Sequence, residues 1–363
     1  MRKYLKFIIL TFIAIAILWH FGSGLDWNEV ARSLKQADPL MLSVSVLVIC
    51  FGYLLRAFRW RTLLKPLSDS KIPVLFETTT VGYAAVFLFG RAGEVVRPLW
   101  LPVRDPRIRP TAAFVTIGVE RFCDLAAIVV LFALNLTWFE VPAGREADFA
   151  FVNRSGLLLL AATCLGVMGL AIFRRYSDSL ILWMDGAFLD RPFVPLRAAV
   201  QIRKLLKSLA DSLSILFNPR EFLVTAFWTA LLWFAISIPT WLVILAFGLS
   251  LDFSDALFVM GWAVVGSLVP TPGGAAGAFH TATAGSLIFL GVNIEAAAAV
   301  SIIMHFVYFA PALLFGLYYF VLGNVTVQGL RSMILGSSVS DEARTDSKSG
   351  SAHSCSGQIA DVG

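Results

Sequence analysis

The chain has 363 residues, 58% of them apolar and only 15% charged, with a mean hydropathy of +0.78. A soluble domain carries roughly 25% charged residues, so composition excludes an ordinary soluble enzyme and points to an all-α polytopic membrane protein. The net charge of +5 suits cytoplasmic loops facing anionic lipid, and no basic run is interleaved for base stacking, which argues against a nucleic-acid partner.

The first apolar stretch, within MRKYLKFIILTFIAIAILWHFG, has no small-x-small cleavage site after it and reads as a retained span over about 4–21 rather than a signal peptide. Residues 26–38 form a short polar helix, and a second span covers about 39–57. Arg56, Arg59 and Arg61 stand at its end and are read as interfacial, snorkelling residues or as collectors of anionic headgroups. Further spans are expected at about 110–138, 154–173, 222–248 and 294–322, making about six full transmembrane helices. Basic residues cluster before the first span, after the second and in 174–220, whereas 139–153 is acidic. This bias places both termini in the cytoplasm.

Two apolar stretches do not fit six crossings. KIPVLFETTTVGYAAVFLFG, 71–90, runs into a polar limb ending near 104, and 255–291 is broken at PTPGG. Each reads as a re-entrant helical hairpin, the first entering from inside and the second from outside. Such broken segments are tolerated at membrane depth where protein or a wet cavity surrounds them. Paired interruptions of opposite polarity suggest an inverted-repeat, transporter-like bundle. Two short spans in each place are the alternative. The 174–220 loop reads as a cytoplasmic amphipathic helix or a soluble helical hairpin, and the tail, 336–363, as disordered.

Charges inside apolar runs carry the functional reading. Glu120, Arg121 and Asp124 lie about 15–20 Å into the helix that starts at Pro110. Unpaired, three such charges cost about 8–10 kcal/mol. Arg121 and Asp124 are spaced i, i+3, and so are Glu94 and Arg97. Arg91 and Arg97 are the nearest further cations. The cluster is either a polar site for a charged headgroup or ion, or an ion-pair knot that fastens the hairpin. In VPTPGGAAGAFH, Gly273 and Gly274 permit a tight turn, and a helix restarting near Ala275 would present free N–H groups to an anion. His280 and His305 read as packing residues or proton carriers. No catalytic signature, metal-ligand spacing, disulfide framework or cofactor motif is present in the sequence.

In order, RAFRWRTLL, GRAGEVVRPLWL, VERFCDL and PTPGGAAGAF resemble the flippase-like membrane domain of the lysylphosphatidylglycerol synthases, over roughly residues 1–330. The resemblance implies a multi-pass protein of the cytoplasmic (plasma) membrane that moves a lipid between leaflets. It marks Arg91, Glu94, Arg97, Glu120, Arg121 and Asp124 as the matched positions, with Gly273, Gly274, His280 and His305 completing the expected headgroup site. The expected partner is a membrane lipid: an anionic or aminoacylated phospholipid, or a polyprenyl-linked lipid. About 40 residues follow the last span, so an aminoacyl-transferase domain is not expected. In the family an acidic residue often stands at the position of His280 and an arginine at that of His305. An ion-coupled solute transporter, or a membrane partner of a lipid- or glycan-modifying enzyme, is the alternative function.

Overall fold

The computed structural model describes residue 12 and residues 15–65, 68–184 and 219–322. Most of 174–220, the tail and the start of the first span lie outside the described residues. Residues 15–23 are helical, and among the described residues ten further α-helices follow in chain order. They are α1 (Trp27–Gln36), α2 (Pro39–Leu64), α3 (Ile72–Phe89), α4 (Val96–Arg104), α5 (Pro110–Asn135), α6 (Glu146–Met184), α7 (Pro219–Ala246), α8 (Phe253–Ser267), α9 (Pro272–Phe289) and α10 (Ile294–Leu322). No strand occurs among the described residues. Contacts divide the chain into a unit Met1–Leu317, which holds everything discussed below, and a unit Tyr318–Gly363, whose described residues, 318–322, are helical.

Local chemistry sets the helix starts. Asp26 and Asp38 accept backbone N–H groups as N-caps of α1 and α2. Asp252 and Asp255 form a reciprocal capping box on α8. Proline occupies the first turn of α2, α3, α5 and α9, where its missing N–H is not needed.

Among the described residues, five helices are long and apolar enough to cross a bilayer: α2, α3, the first part of α6, α7 and α10. The chain is a polytopic helical membrane protein. Two differences from the sequence expectation matter. The helix expected to end near residue 57 continues to Leu64, because Trp60, Leu63 and Leu64 are buried in a cluster with Leu75, Leu101 and Ile117. The first hairpin is asymmetric: α3, with 18 residues, is about 27 Å long and spans on its own measure, whereas α4 has nine residues. The 26-residue α5 is long enough but carries its three charges mid-helix.

The element series repeats. A long helix, a broken hairpin and a second long helix occur as α2, α3/α4, α5 and again as α7, α8/α9, α10. The leading helices α2 and α7 pack along each other, α8 packs on α9, and α3 touches α9. Tyr53, Val243, Val259, Phe279 and Met304 join α2, α7, α8, α9 and α10 in the main core. Leucine and phenylalanine side chains such as Leu47, Leu158, Phe227 and Phe306 point outward, as a lipid-facing surface requires.

The two hairpins meet at their breaks. The chain leaves α3 through a 3-10 segment, Gly90–Val95. Gly90 has φ 62° and ψ −149°, a region essentially confined to glycine. A Cβ there would stand 2.8 Å from the Thr271 carbonyl oxygen at the tip of the second hairpin. Between α4 and α5, Asp105 ties the hairpin's far end. Its carboxylate accepts from Ser68, Ser70 and Arg107.

Candidate functional site

The polar centre is built on α2, α4 and α5. Arg59 donates to both oxygens of Asp124, at 2.5 and 3.1 Å. The Oε1 of Glu120 draws three arginines: Arg97 at 2.8 Å, Arg121 at 3.1 Å and Arg59 at 3.2 Å. Arg59 and Glu120 are completely buried, and the Arg97 guanidinium carbon stands over the Trp60 ring, 3.9 Å from its centre. The Trp233 indole on α7 donates to Asp124 at 3.2 Å, which brings the second repeat to the cluster. Three arginines face two carboxylates, so the cluster keeps one surplus positive charge.

Beside this cluster a cavity of about 440 Å³ opens between the two hairpins. Its charged lining is Arg56, Arg91, Arg97 and Arg121 against Glu94 and Asp124. Tyr83, Tyr308 and Trp233 add polar atoms, and apolar side chains such as Leu125 and Met260 complete the wall. The volume falls in the range of small-molecule sites. Arg91 and Glu94 pair with each other at 2.6 Å, and Arg91 also reaches the Ser267 carbonyl on the second hairpin at 3.4 Å.

Of the residues expected from sequence, Arg91, Glu94, Arg97, Arg121, Asp124 and Gly274 line the cavity. Glu120 lies behind it and organises the arginines. Gly273, Gly274 and Ala275 form a left-handed turn, with φ of 73°, 64° and 59°, before α9 becomes regular. His280 and His305 do not line the cavity. Their rings lie 4.9 Å apart in an aromatic packet with Phe21, Phe279 and Phe309, and His305 backs onto Gly274. Among the described residues, the imidazole Nδ1 of His280 and Nε2 of His305 have no hydrogen-bond partner. No group of three or more His, Cys, Asp or Glu suited to a metal ion occurs among the described residues.

Tyr83 and Trp233 are participants that the sequence does not single out, whereas Arg56 and Arg59, which it offers as interfacial residues or as collectors of anionic headgroups, stand in the cavity wall and the charged cluster. A span that ends near residue 57 leaves both arginines at the membrane interface, whereas α2 continues to Leu64 and encloses Arg59. The signal for a longer helix was Trp60, Leu63 and Leu64, which continue its apolar character past the charges.

Residues 6–316 match the transmembrane region of lysylphosphatidylglycerol synthase. The chain belongs to that family. The matched region takes in both hairpins, the charged cluster and the cavity. Among curated proteins, a UPF0104 membrane protein of Pyrococcus horikoshii is 24% identical over 84% of this chain and 91% of its own length. Glycosyltransferase AglD of Haloferax volcanii is 24% identical over 68% of this chain, a stretch that makes up 41% of AglD.

Proposed function

We propose that the chain is a lipid translocase of the cytoplasmic membrane, which passes a polar headgroup between leaflets through the cavity while the acyl chains stay in lipid. It acts without an aminoacyl-transferase activity of its own. The observation that carries this reading is the meeting of two broken hairpins beside a charged cavity, in a chain whose outer surface is apolar. Non-helical backbone and uncompensated charge at membrane depth belong where a polar solute passes. Family membership and the repeated helix–hairpin–helix series support it, since transporters with inverted repeats bind substrate where broken helices meet. The loop charges support an orientation with both termini in the cytoplasm.

The test is leaflet exchange in proteoliposomes that carry fluorescent phospholipids of differing headgroup. An impermeant reductant bleaches the outer leaflet. Protein-dependent bleaching beyond the outer-leaflet share, reduced in Arg121→Ala, is the expected result. Absence of excess bleaching for every headgroup, in the presence and absence of an imposed proton gradient, would overturn the reading.

The match to a glycosyltransferase favours a second reading, a membrane partner of a lipid- or glycan-modifying enzyme. Co-purification of such an enzyme with a chain inactive in exchange would select it.

A further inference from the structure

The ligand chemistry of the cavity can be read from two arginines and one tyrosine. Arg56 on α2 and Arg121 on α5 donate to the same atom, the Tyr83 hydroxyl oxygen on α3, each at 2.8 Å. Both guanidinium groups also stand over the Tyr83 ring, at 4.9 and 5.7 Å. A phenol oxygen is a neutral acceptor. Two full positive charges therefore converge on a group that compensates neither.

The other arginines of the site are neutralised. Arg59 has Asp124 and Glu120, Arg97 has Glu120, and Arg91 has Glu94. Arg121 shares Glu120 with two further arginines and reaches Asp124 at 3.8 Å. Arg56 has no carboxylate within 4.0 Å among the described residues. Arg56 and Arg121 are part-buried, and like charges on a shared neutral oxygen repel. The arrangement is stable where an anion with several acceptor oxygens can lie between the two forks, since guanidinium groups match phosphate bidentately. Arg56, Arg121 and Tyr83 all line the cavity, and Leu125, Ile128 and Val264 give it an apolar flank suited to the glycerol end of a lipid.

We infer that the cavity binds a phosphoryl group between Arg56 and Arg121, and that the Tyr83 hydroxyl is the internal acceptor which a phosphoryl oxygen replaces. The phosphoryl group is that of a phospholipid headgroup if the translocase reading holds, on which this assignment of source rests; the same N–H groups can donate to free phosphate.

The experiment measures binding to the purified full chain in neutral detergent, by thermal stabilisation. Its probes are short-chain phosphatidylglycerol, short-chain diacylglycerol and inorganic phosphate. Phosphatidylglycerol is expected to stabilise the protein and diacylglycerol not. Arg56→Gln is expected to weaken phosphatidylglycerol binding at least tenfold. Tyr83→Phe removes the competing acceptor and is expected to tighten binding severalfold, whereas a merely structural Tyr83 would leave affinity unchanged. Equal stabilisation by inorganic phosphate and phosphatidylglycerol supports the phosphoryl site and assigns it to the free anion. Equal stabilisation by diacylglycerol, unchanged affinity in Arg56→Gln, or unchanged or weaker affinity in Tyr83→Phe overturns the inference. Leaflet exchange is measured in parallel on the same preparations. Exchange without phosphoryl binding sinks this site alone, and binding without exchange sinks the translocase reading alone.

Discussion

Arg59 on α2 and Asp124 on α5 form a two-pronged pair, at 2.5 and 3.1 Å, with 0% and 9% of their side chains exposed. Their burial makes each the other's condition for stability, because a lone buried charge costs far more than the pair. Arg59→Gln is expected to lower stability by about 3–5 kcal/mol, read by thermal or denaturant unfolding in micelles. Replacing both, as Arg59→Met with Asp124→Leu, should recover most of the loss. A double variant as unstable as the single would show that Asp124 is not the group left exposed. Asp124→Asn is thus a test of folding before it is a test of transport.

The contact between Gly90 and Thr271 should be intolerant of any side chain. Gly90→Ala adds a Cβ 2.8 Å from the Thr271 oxygen at backbone angles confined to glycine. The expected cost is about 1–3 kcal/mol, with leaflet exchange slowed more than the stability loss explains. Wild-type exchange in Gly90→Ala would show that the two hairpin tips need not touch during transport.

His280 and His305 give a prediction of the opposite kind. Among the described residues, each keeps one imidazole nitrogen with no hydrogen-bond partner inside an aromatic packet. Removing an unsatisfied buried polar atom is close to neutral or stabilising. His305→Phe should therefore hold stability within about 1 kcal/mol and leave phospholipid binding unchanged. Loss of binding in a folded His305→Phe protein would return the histidine to the headgroup site.

Asp105, between α4 and α5, should give the fold a pH dependence. Hydrogen bonds from the Arg107 guanidinium, aided by Ser70 and Ser68, hold its carboxyl well below the usual carboxylate range against the opposing effect of burial. A depressed folded value stabilises above the unfolded value of about 3.9, and that contribution fades as pH falls through the lower folded value. Asp105→Asn is expected to cost about 1–3 kcal/mol at pH 7. Its unfolding curve should converge on the wild type only below about pH 4. Equal stability of the two proteins at pH 7 would remove Asp105 from the fastening of the first hairpin.

The charged cluster was legible where charge interrupts an apolar run. Glu120, Arg121 and Asp124 stand in the middle of a 26-residue helix, and physics demands that such groups find partners. The breaks at Gly90 and at Pro272–Gly274 were legible for a similar reason, since glycine and proline mark places where helix cannot continue. Arg59 was hidden because a positive residue near a span's end has an ordinary interfacial explanation, and its true partner lies 65 residues onward. Tyr83 looked like another apolar residue of the hairpin. Only the approach of α2 and α5 to α3 turns its hydroxyl into the meeting point of two arginines. The histidines illustrate the reverse: both attract attention in sequence, and both are packed behind the glycine turn rather than into the cavity.

The spacing of Arg59 and Asp124 also has a consequence for biosynthesis. Ribosomes deliver about 5–20 residues per second, so α2 waits about 3–13 s for its counter-charge on α5. During that interval an arginine that is fully enclosed in the finished protein has no carboxylate from α5, and a buried charge without its partner is costly. The nascent helix must therefore sit shallow, or be held by the insertion machinery, until α5 emerges. The order in which the first half of this chain leaves the translocon is, in effect, part of its folding code.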